Sequence, residues 1–540
     1  MELDVLLKNG IIYTMEKEGK TVEALGIKDG KIVFAGSNQE AEQFNSAKTV
    51  NLEKHAVIPG MADSHMHMYA YCQNQTSVNL EQAKSMDEMI ALMKEKAEKT
   101  PEGNWIKGAN FDQTKFKENR FPTREDLDKI STVHPIVIKR CCLHAVVANT
   151  MALESAGVGI GYDGGSGGIV EFDEDGRPNG ILREQSTKVF DEIMPDPLSN
   201  EEEKKKIFLS VLADMSSKGV TAIHTYAAKI WRYDEDINTY HDLDKAGELP
   251  VRVTVYMDEL FKPEKLTQEE KNDPYRLVQF GGYKLFSDGS LGSRSAALKE
   301  PYSDDPENIG FVVCEQQEFT AKVLQAYEKG LQPAIHAIGD RALDMTLTAI
   351  EETLRISREK GMTAEEQKKR LPFRIIHVQM INDELVERMK KLPLVLDIQP
   401  VFLGTDARWI EERIGSKRAK GAYAWKTLKD NGFIQTGGSD CPVESFDPIA
   451  GIFSAVARCD KDGLPFGGYG PQEKLSVYEA IEIFTKNVHY ATGQQEYLGT
   501  LEVGKFADLV VLDRNPFMID EMELKDVKVQ QTYIAGKRVF

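Results

Sequence analysis

Phe373-Arg374-Ile375-Ile376-His377, followed by the helix-period segment 383–391, and Ala334-Ile335-His336, followed by 342–358, decide the fold. In each case a short apolar run ends in a polar residue and gives way to apolar residues at helical spacing. Strand then helix, repeated, predicts a parallel sheet, and at 540 residues the best solution is an α/β fold built as a (β/α)8 barrel.

The ends of the chain read differently. Residues 3–7, 10–15, 24–28, 31–35 and 49–52 are strand-like pieces punctuated by Asn9-Gly10, Asp29-Gly30 and Gly36, a small antiparallel β unit. Residues 508–512 and 530–540 repeat that texture. A few short strands cannot make a core alone, so the two ends are expected to share one sheet domain. Between the first His pair and Gly219 the strand–helix rhythm is lost. A helix over 86–99, a strand over 135–140, a glycine-rich 164–168 and a charged run at 201–206 mark an insertion of roughly residues 75–200, expected over the barrel mouth where loops carry specificity. The glycine cluster lacks a Gly-Lys-Ser/Thr ending and a following helix, so it reads as a turn and not a phosphate loop. The charged run reads as a solvated helix start.

Composition narrows the function classes. With 41% hydrophobic and 28% charged residues the chain is an ordinary globular protein, and a formal charge of −19 argues against a nucleic-acid partner. Met1 to Lys8 has no cationic segment leading into a long apolar one, and no apolar stretch is long enough to cross a bilayer, so a cytoplasmic protein without membrane association is expected. Six cysteines, two of them adjacent at Cys141-Cys142, form neither a disulfide framework nor a zinc knuckle and read as reduced thiols.

The chemistry sits at strand ends. His65-Met66-His67 follows Ala56-Val57-Ile58 and Pro59-Gly60; on an extended strand residues i and i+2 point the same way, so two imidazoles can reach one ion. Downstream come Lys284, His336, His377 and Asp440, the last in Gly438-Ser439-Asp440. Parallel barrel strands converge at one mouth, which would make these six positions one site. Taken singly, each has a structural alternative: a hydrogen-bonded His, a turn or helix cap at Gly-Ser-Asp, a salt bridge from Lys284 to Asp288. A Lys inside an apolar run is the odd member, since a buried ammonium must lose its charge or find a partner. Adding carbon dioxide to the neutral amine would convert it into an anion able to bridge two cations.

The ordered set His-x-His, Lys, His, His, Asp resembles the amidohydrolase superfamily of metal-dependent hydrolases. Pro59 to His67 is similar to its entry signature, and Leu498-Gly499-Thr500-Leu501-Glu502-Val503-Gly504-Lys505-Phe506-Ala507-Asp508-Leu509-Val510 to its return to a small sheet domain. Lys284 to Arg294, His336 to Asp340 and Gly438 to Val443 are most similar to the amidohydrolase 3 branch, which includes N-substituted formamide deformylase-like enzymes. The resemblance covers essentially the whole chain. It implies a distorted barrel over 59–497 and a split β-sandwich from 1–58 and 498–540. It implies two divalent ions, usually zinc, with His65, His67 and Asp440 on the more buried one, His336 and His377 on the other, and N6-carboxylated Lys284 between them. Asp440 would then take a proton from metal-activated water and pass it to the leaving amine, hydrolysing a non-peptide C–N bond of a small molecule such as an N-acyl, N-formyl or cyclic amide.

Other positions are candidates for the substrate pocket. His144 resembles a recurring His of this branch that faces the pocket. His224 ends the run 220–223 and should lie at the barrel mouth, although the superfamily pattern leaves it no metal position. Tyr69, Trp105, Asp112 and Arg294 supply aromatic and polar groups of the kind such pockets use. Asp288 and Asp340 are expected to cap or orient and not to ligate. A mononuclear deaminase would place a Glu shortly after the third His, where Ile338-Gly339-Asp340 stands, and would leave Lys284 unexplained. A lactone or ester hydrolase on the same fold and a non-catalytic scaffold are the remaining alternatives. Homodimers are common among such enzymes, and the sequence identifies no interface.

Overall fold

The computed structural model describes residues 2–140, 145–165, 168–227, 236–258 and 276–540. His144, Cys141, Cys142, Ser166 and Gly167 lie outside them. Two compact units are present, one formed by Met1–Tyr69 with Phe208–Phe540 and the other by Ala70–Ile207.

The first unit holds an eight-stranded parallel sheet, ordered β1 (Met61–Met66), β2 (Val220–Tyr226), β3 (Arg252–Met257), β4 (Val278–Phe286), β5 (Gln332–Ala337), β6 (Phe373–His377), β7 (Leu394–Ile398) and β8 (Ile434–Gly437). β1, β2, β5, β6 and β7 are buried at every position, as expected of strands covered on both faces. The helix Asp340–Glu359 after β5 turns Ala342, Leu343, Leu347 and Ile350 into a core shared with Phe319 and Val323 of the helix Gln316–Glu328.

The end strands β1 and β8 are tied together just past the end of β8. Asp440 N donates to His65 O at 2.7 Å, and His67 N to Cys441 O at 2.7 Å. Asp63 adds a carboxylate that accepts from Ser439 N at 3.1 Å and His65 N at 3.0 Å. Gly438 is needed at this seam because a Cβ there would fall 2.7 Å from His65 N. The β1–β2 register also shifts, with Asp63 opposite Ile223 but Met66 opposite Thr225, so β1 carries an extra residue around Ser64-His65.

The chain ends form two sheets. One has the order Lys31–Gly36, Ala24–Lys28, Glu2–Lys8, Asn45–Asn51; the other joins Lys537–Arg538, Val529–Ile534 and Leu509–Leu512 to Ala56–Pro59, Ile11–Tyr13 and Thr21–Val22. The expectation of an antiparallel unit needs correction. Glu2–Lys8 pairs parallel with Asn45–Asn51, and Ile11–Tyr13 parallel with Ala56–Pro59, because the short helix Asn38–Ala41 lies on a connection long enough to bring the chain back in the same direction. Leu7, Ile27 and Ile32 from one sheet and Val57, Leu509 and Val511 from the other share an apolar core. Both sheets belong to the same compact unit as the barrel. Arg252, at the start of β3, clamps Asp508 with Nε–Oδ2 2.7 Å and Nη2–Oδ1 3.2 Å, both side chains being buried.

The second unit is built on a six-stranded sheet ordered Gly168–Phe172, Pro178–Glu184, Ala145–Ala148, Ile136–Arg140, Ile106–Phe111, Val78–Asn79. Met86, Met89 and Met93 of the helix Met86–Glu98 pack into one of its cores, and Ser85 caps that helix by accepting from Glu88 N. The helix Glu201–Ser217 opens with three acids in its first turn. Among the described residues Cys72, Cys314, Cys441 and Cys459 form no disulfide. Among the described residues no helix is long and apolar enough to cross a membrane.

Asp508→Ala would strand the Arg252 guanidinium in a buried setting. A loss of about 3–5 kcal/mol is expected in denaturant unfolding, and an unchanged midpoint would show that the pair contributes nothing.

Candidate metal centre

The sequence-predicted ligands meet. His65 lies near the end of β1 and His67 one residue beyond it; Lys284 is two residues before the end of β4, His336 one before the end of β5, His377 closes β6, and Asp440 follows β8 by three. Asp440 Oδ1 lies 3.2 Å from His65 Nε2 and 3.1 Å from His67 Nε2. Lys284 Nζ is 3.4 Å from His65 Nε2. The His377 ring is 5.7 Å from that of His65 and 4.4 Å from that of His336. Ligand atoms of His65, His377 and Asp440 fall within 4.8 Å of one another. All six side chains are buried.

Buried polar atoms normally find partners, yet among the described residues His65 Nδ1 and His377 Nδ1 have none. Asp440 Oδ1 lies close to two imidazole nitrogens, an arrangement that would also suit donors around a cation. Burial first, and then the Lys284 charge, holds His65 well below the usual imidazole range; burial and the neighbouring His336 do the same for His377. Both rings are therefore neutral, the form that ligates. Burial alone would raise Asp440, but His65 and His67 hold it well below the usual carboxylate range. Burial pushes Lys284 down to about 7. Its ammonium sits over the Phe286 and Tyr226 rings at 4.7 and 5.0 Å. The donor atoms of His65, His377 and Asp440, with His67, Lys284 and His336 beside them, are of the kinds that suit a divalent cation.

Backbone strain concentrates here. His377 (φ 78°), Val378 (φ 47°) and Asp440 (φ 56°) occupy the left-handed region, a costly place for a β-branched Val. Two of these three residues carry candidate ligand atoms.

Nearby groups aim the ligands. His67 Nδ1 meets Tyr226 O at 2.6 Å, so its Nε2 faces Asp440. His336 Nε2 is held by Gly289 O at 3.0 Å, which assigns ligation to Nδ1. Asp288 does not pair with Lys284; its oxygens accept from Ala297, Ile338 and Gly339 N–H at 2.8–3.1 Å and lie 3.4 Å from His336 Nε2. Asp340 accepts from Lys299 N. Both acids thus act on loops.

The candidate pocket residues are more dispersed. His224 is buried two residues before the end of β2, with Nδ1 2.9 Å from Arg374 of β6, which lies three residues before His377. Arg294 gives its head group to Asp304 through two bonds. Tyr69 packs edge-on against Phe208. Trp105 and Asp112 belong to the Ala70–Ile207 unit, where Trp105 packs against the apolar cluster that includes Val137 and Leu182 and Asp112 accepts from Thr114 and pairs with Arg140. His144 lies outside the described residues. The buried pair Arg374–Asp397 and Tyr226 escaped the sequence reading. The signal was present in Arg374, a second cation inside an apolar run.

Comparison with known proteins agrees with this geometry. The amidohydrolase family model matches residues 48–540. YtcJ of Bacillus subtilis (strain 168), named as a candidate amidohydrolase, is 33% identical over 546 residues, 98% of each chain. The N-substituted formamide deformylase of Arthrobacter pascens is 24% identical over 550 residues, 99% of this chain and 97% of its own. An uncharacterized metal-dependent hydrolase of Pyrococcus horikoshii OT3 matches with a TM-score of 0.76 at 30% identity, covering 96% of this chain and 99% of that one. The chain belongs to the amidohydrolase family, in its amidohydrolase 3 branch.

Asp288→Asn would loosen the loop that orients His336. Metal affinity in chelator competition should fall about 10–100-fold with the fold intact by circular dichroism; unchanged affinity would remove the orienting role.

Proposed function

We propose that the protein is a metal-dependent hydrolase that cleaves a non-peptide C–N bond in a small molecule, with N-acyl, N-formyl and cyclic amides as the substrate class. The observation that carries this reading is the buried cluster of His65, His377 and Asp440, with His67, Lys284 and His336 beside it, in which His65 Nδ1 and His377 Nδ1 have no partner among the described residues. The solved relative described as a metal-dependent hydrolase and the relative that deformylates N-substituted formamides support it.

In this reading His65, His67 and Asp440 would hold the more buried ion and His336 and His377 the more exposed one, with zinc as the metal. Bound divalent ions supply Lewis acidity and lower the pKa of water. Lys284 would join the two ligand sets as an N-carboxylate: its neutral amine adds to carbon dioxide, an N–C bond forms as one C=O π pair moves onto oxygen, and the N–H proton leaves to solvent. An amine with a pKa near 7 is protonated below that pH and nucleophilic above it. Asp440, held ionised, accepts the proton of the attacking water and returns it to the departing amine. A deaminase would place a Glu shortly after the third His, where Ile338-Gly339-Asp340 stands, and would leave Lys284 unexplained.

Reconstitution of metal-stripped protein with zinc and bicarbonate should accelerate as pH rises through about 7, followed by regained hydrolysis; a flat profile would remove the carbamate. Asp440→Asn, compared at equal metal content, should lower kcat by about 10²–10⁴-fold, and wild-type turnover would exclude Asp440 as the base. The direct test is a panel of N-formyl and N-acyl amines, hydantoins, lactones and aminopurines incubated with zinc-loaded enzyme. Turnover of the amides supports the reading. Turnover of lactones or aminopurines alone, or of nothing in the panel, overturns it.

A further inference from the structure

Arg374 lies on β6, three residues before His377 and without solvent exposure, and all five of its N–H groups are used. Nε and Nη2 donate to Asp397 Oδ2 at 2.9 and 2.6 Å. Nη1 donates to the Tyr256 hydroxyl and meets His224 Nδ1, both at 2.9 Å. Nη2 also donates to the carbonyl of Ser64 at 2.9 Å. Asp397, equally buried, takes the Thr436 hydroxyl on its other oxygen. One guanidinium therefore ties β1, β2, β3 and β7 to β6, and through Thr436 reaches β8.

The contact with Ser64 is the informative one. A strand carbonyl ordinarily pairs with the neighbouring strand, but the register shift places an extra residue in β1 at this point. The Ser64 carbonyl is turned into the barrel, and Arg374 takes it. Ser64 immediately precedes His65, so the bulge sets the direction in which His65 leaves the backbone. His65 Nδ1, without a partner, cannot fix the ring from its other side. A Lys could keep the charge against Asp397, but one ammonium cannot span Asp397, His224, Tyr256 and Ser64 as a planar fork does.

We propose that Arg374 is a positioning residue for the metal centre: by holding the Ser64 carbonyl it fixes the β1 bulge that aims His65 at the shared ligand point with Asp440, and Asp397 orients it for that task. This rests on the metal-binding reading of the site. It also accounts for His224, whose Nδ1 meets the guanidinium and whose role is inside this network.

The test is cobalt(II) titration of metal-stripped protein, followed by visible absorption and thermal unfolding, in the wild type, Arg374→Lys and the double variant Arg374→Met/Asp397→Asn. The double variant removes both charges together and avoids stranding either one. It should bind cobalt about 10–100-fold more weakly, with an altered absorption band. Arg374→Lys should recover thermal stability without recovering affinity or the band. Wild-type cobalt affinity and spectrum in the folded double variant would overturn the proposal, as would recovery of affinity and stability in parallel by Lys. If the double variant fails to fold, Asp397→Asn carries the test: it keeps the shape of the acceptor, and a wild-type spectrum and affinity there would overturn the proposal. Failure of the wild type to bind cobalt would sink the metal reading itself, a result separable from the others.

Discussion

The structure depends on how the two end strands of the barrel are brought together. β1 and β8 meet through Asp440 N to His65 O and His67 N to Cys441 O, so three of the six candidate ligands lie on the segments that seal the sheet. Gly438 permits the approach, and the Asp63 carboxylate binds both sides of it. Closing the barrel and assembling the site are one event. Neutral imidazoles, a carboxylate and an amine crowded together out of water are unfavourable neighbours, and the left-handed residues His377, Val378 and Asp440 add backbone strain. The surrounding layers of buried strands hold this arrangement in place, and a cation would satisfy the donors that hydrogen bonding leaves unmatched.

Much of this was legible from residue types and spacing. The apolar runs ending in His336 and His377 announced strands because a strand buried on both faces has no room for polar alternation, and the helical spacing after them announced the crossovers. His-x-His was readable because the two-residue period survives the local bulge. What could not be read depends on pairing at long range. The parallel return of Asn45–Asn51 against Glu2–Lys8 follows from the connection between them, since both strands carry the same kind of pattern as an antiparallel pair. That His224 meets Arg374 could not be read either, because the two residues are 150 apart in sequence.

Arg374 shows the same limit from the opposite side. In sequence it is one charged residue in Phe373-Arg374-Ile375-Ile376-His377, and its partners Ser64, His224, Tyr256 and Asp397 lie 310, 150, 118 and 23 residues away. Only closure of the sheet makes them neighbours. The barrel interior thus presents a polar network centred on Arg374 close to the candidate ligands, where the fold's usual filling is apolar.

Anomalous diffraction at the zinc edge, on crystals grown from zinc-loaded protein, should give two peaks about 3.5–4 Å apart, enclosed by His65, His67, His336, His377 and Asp440, with density continuing past Lys284 Nζ. A map with no peak among those side chains, or with metal bound only elsewhere on the protein, would contradict the metal centre.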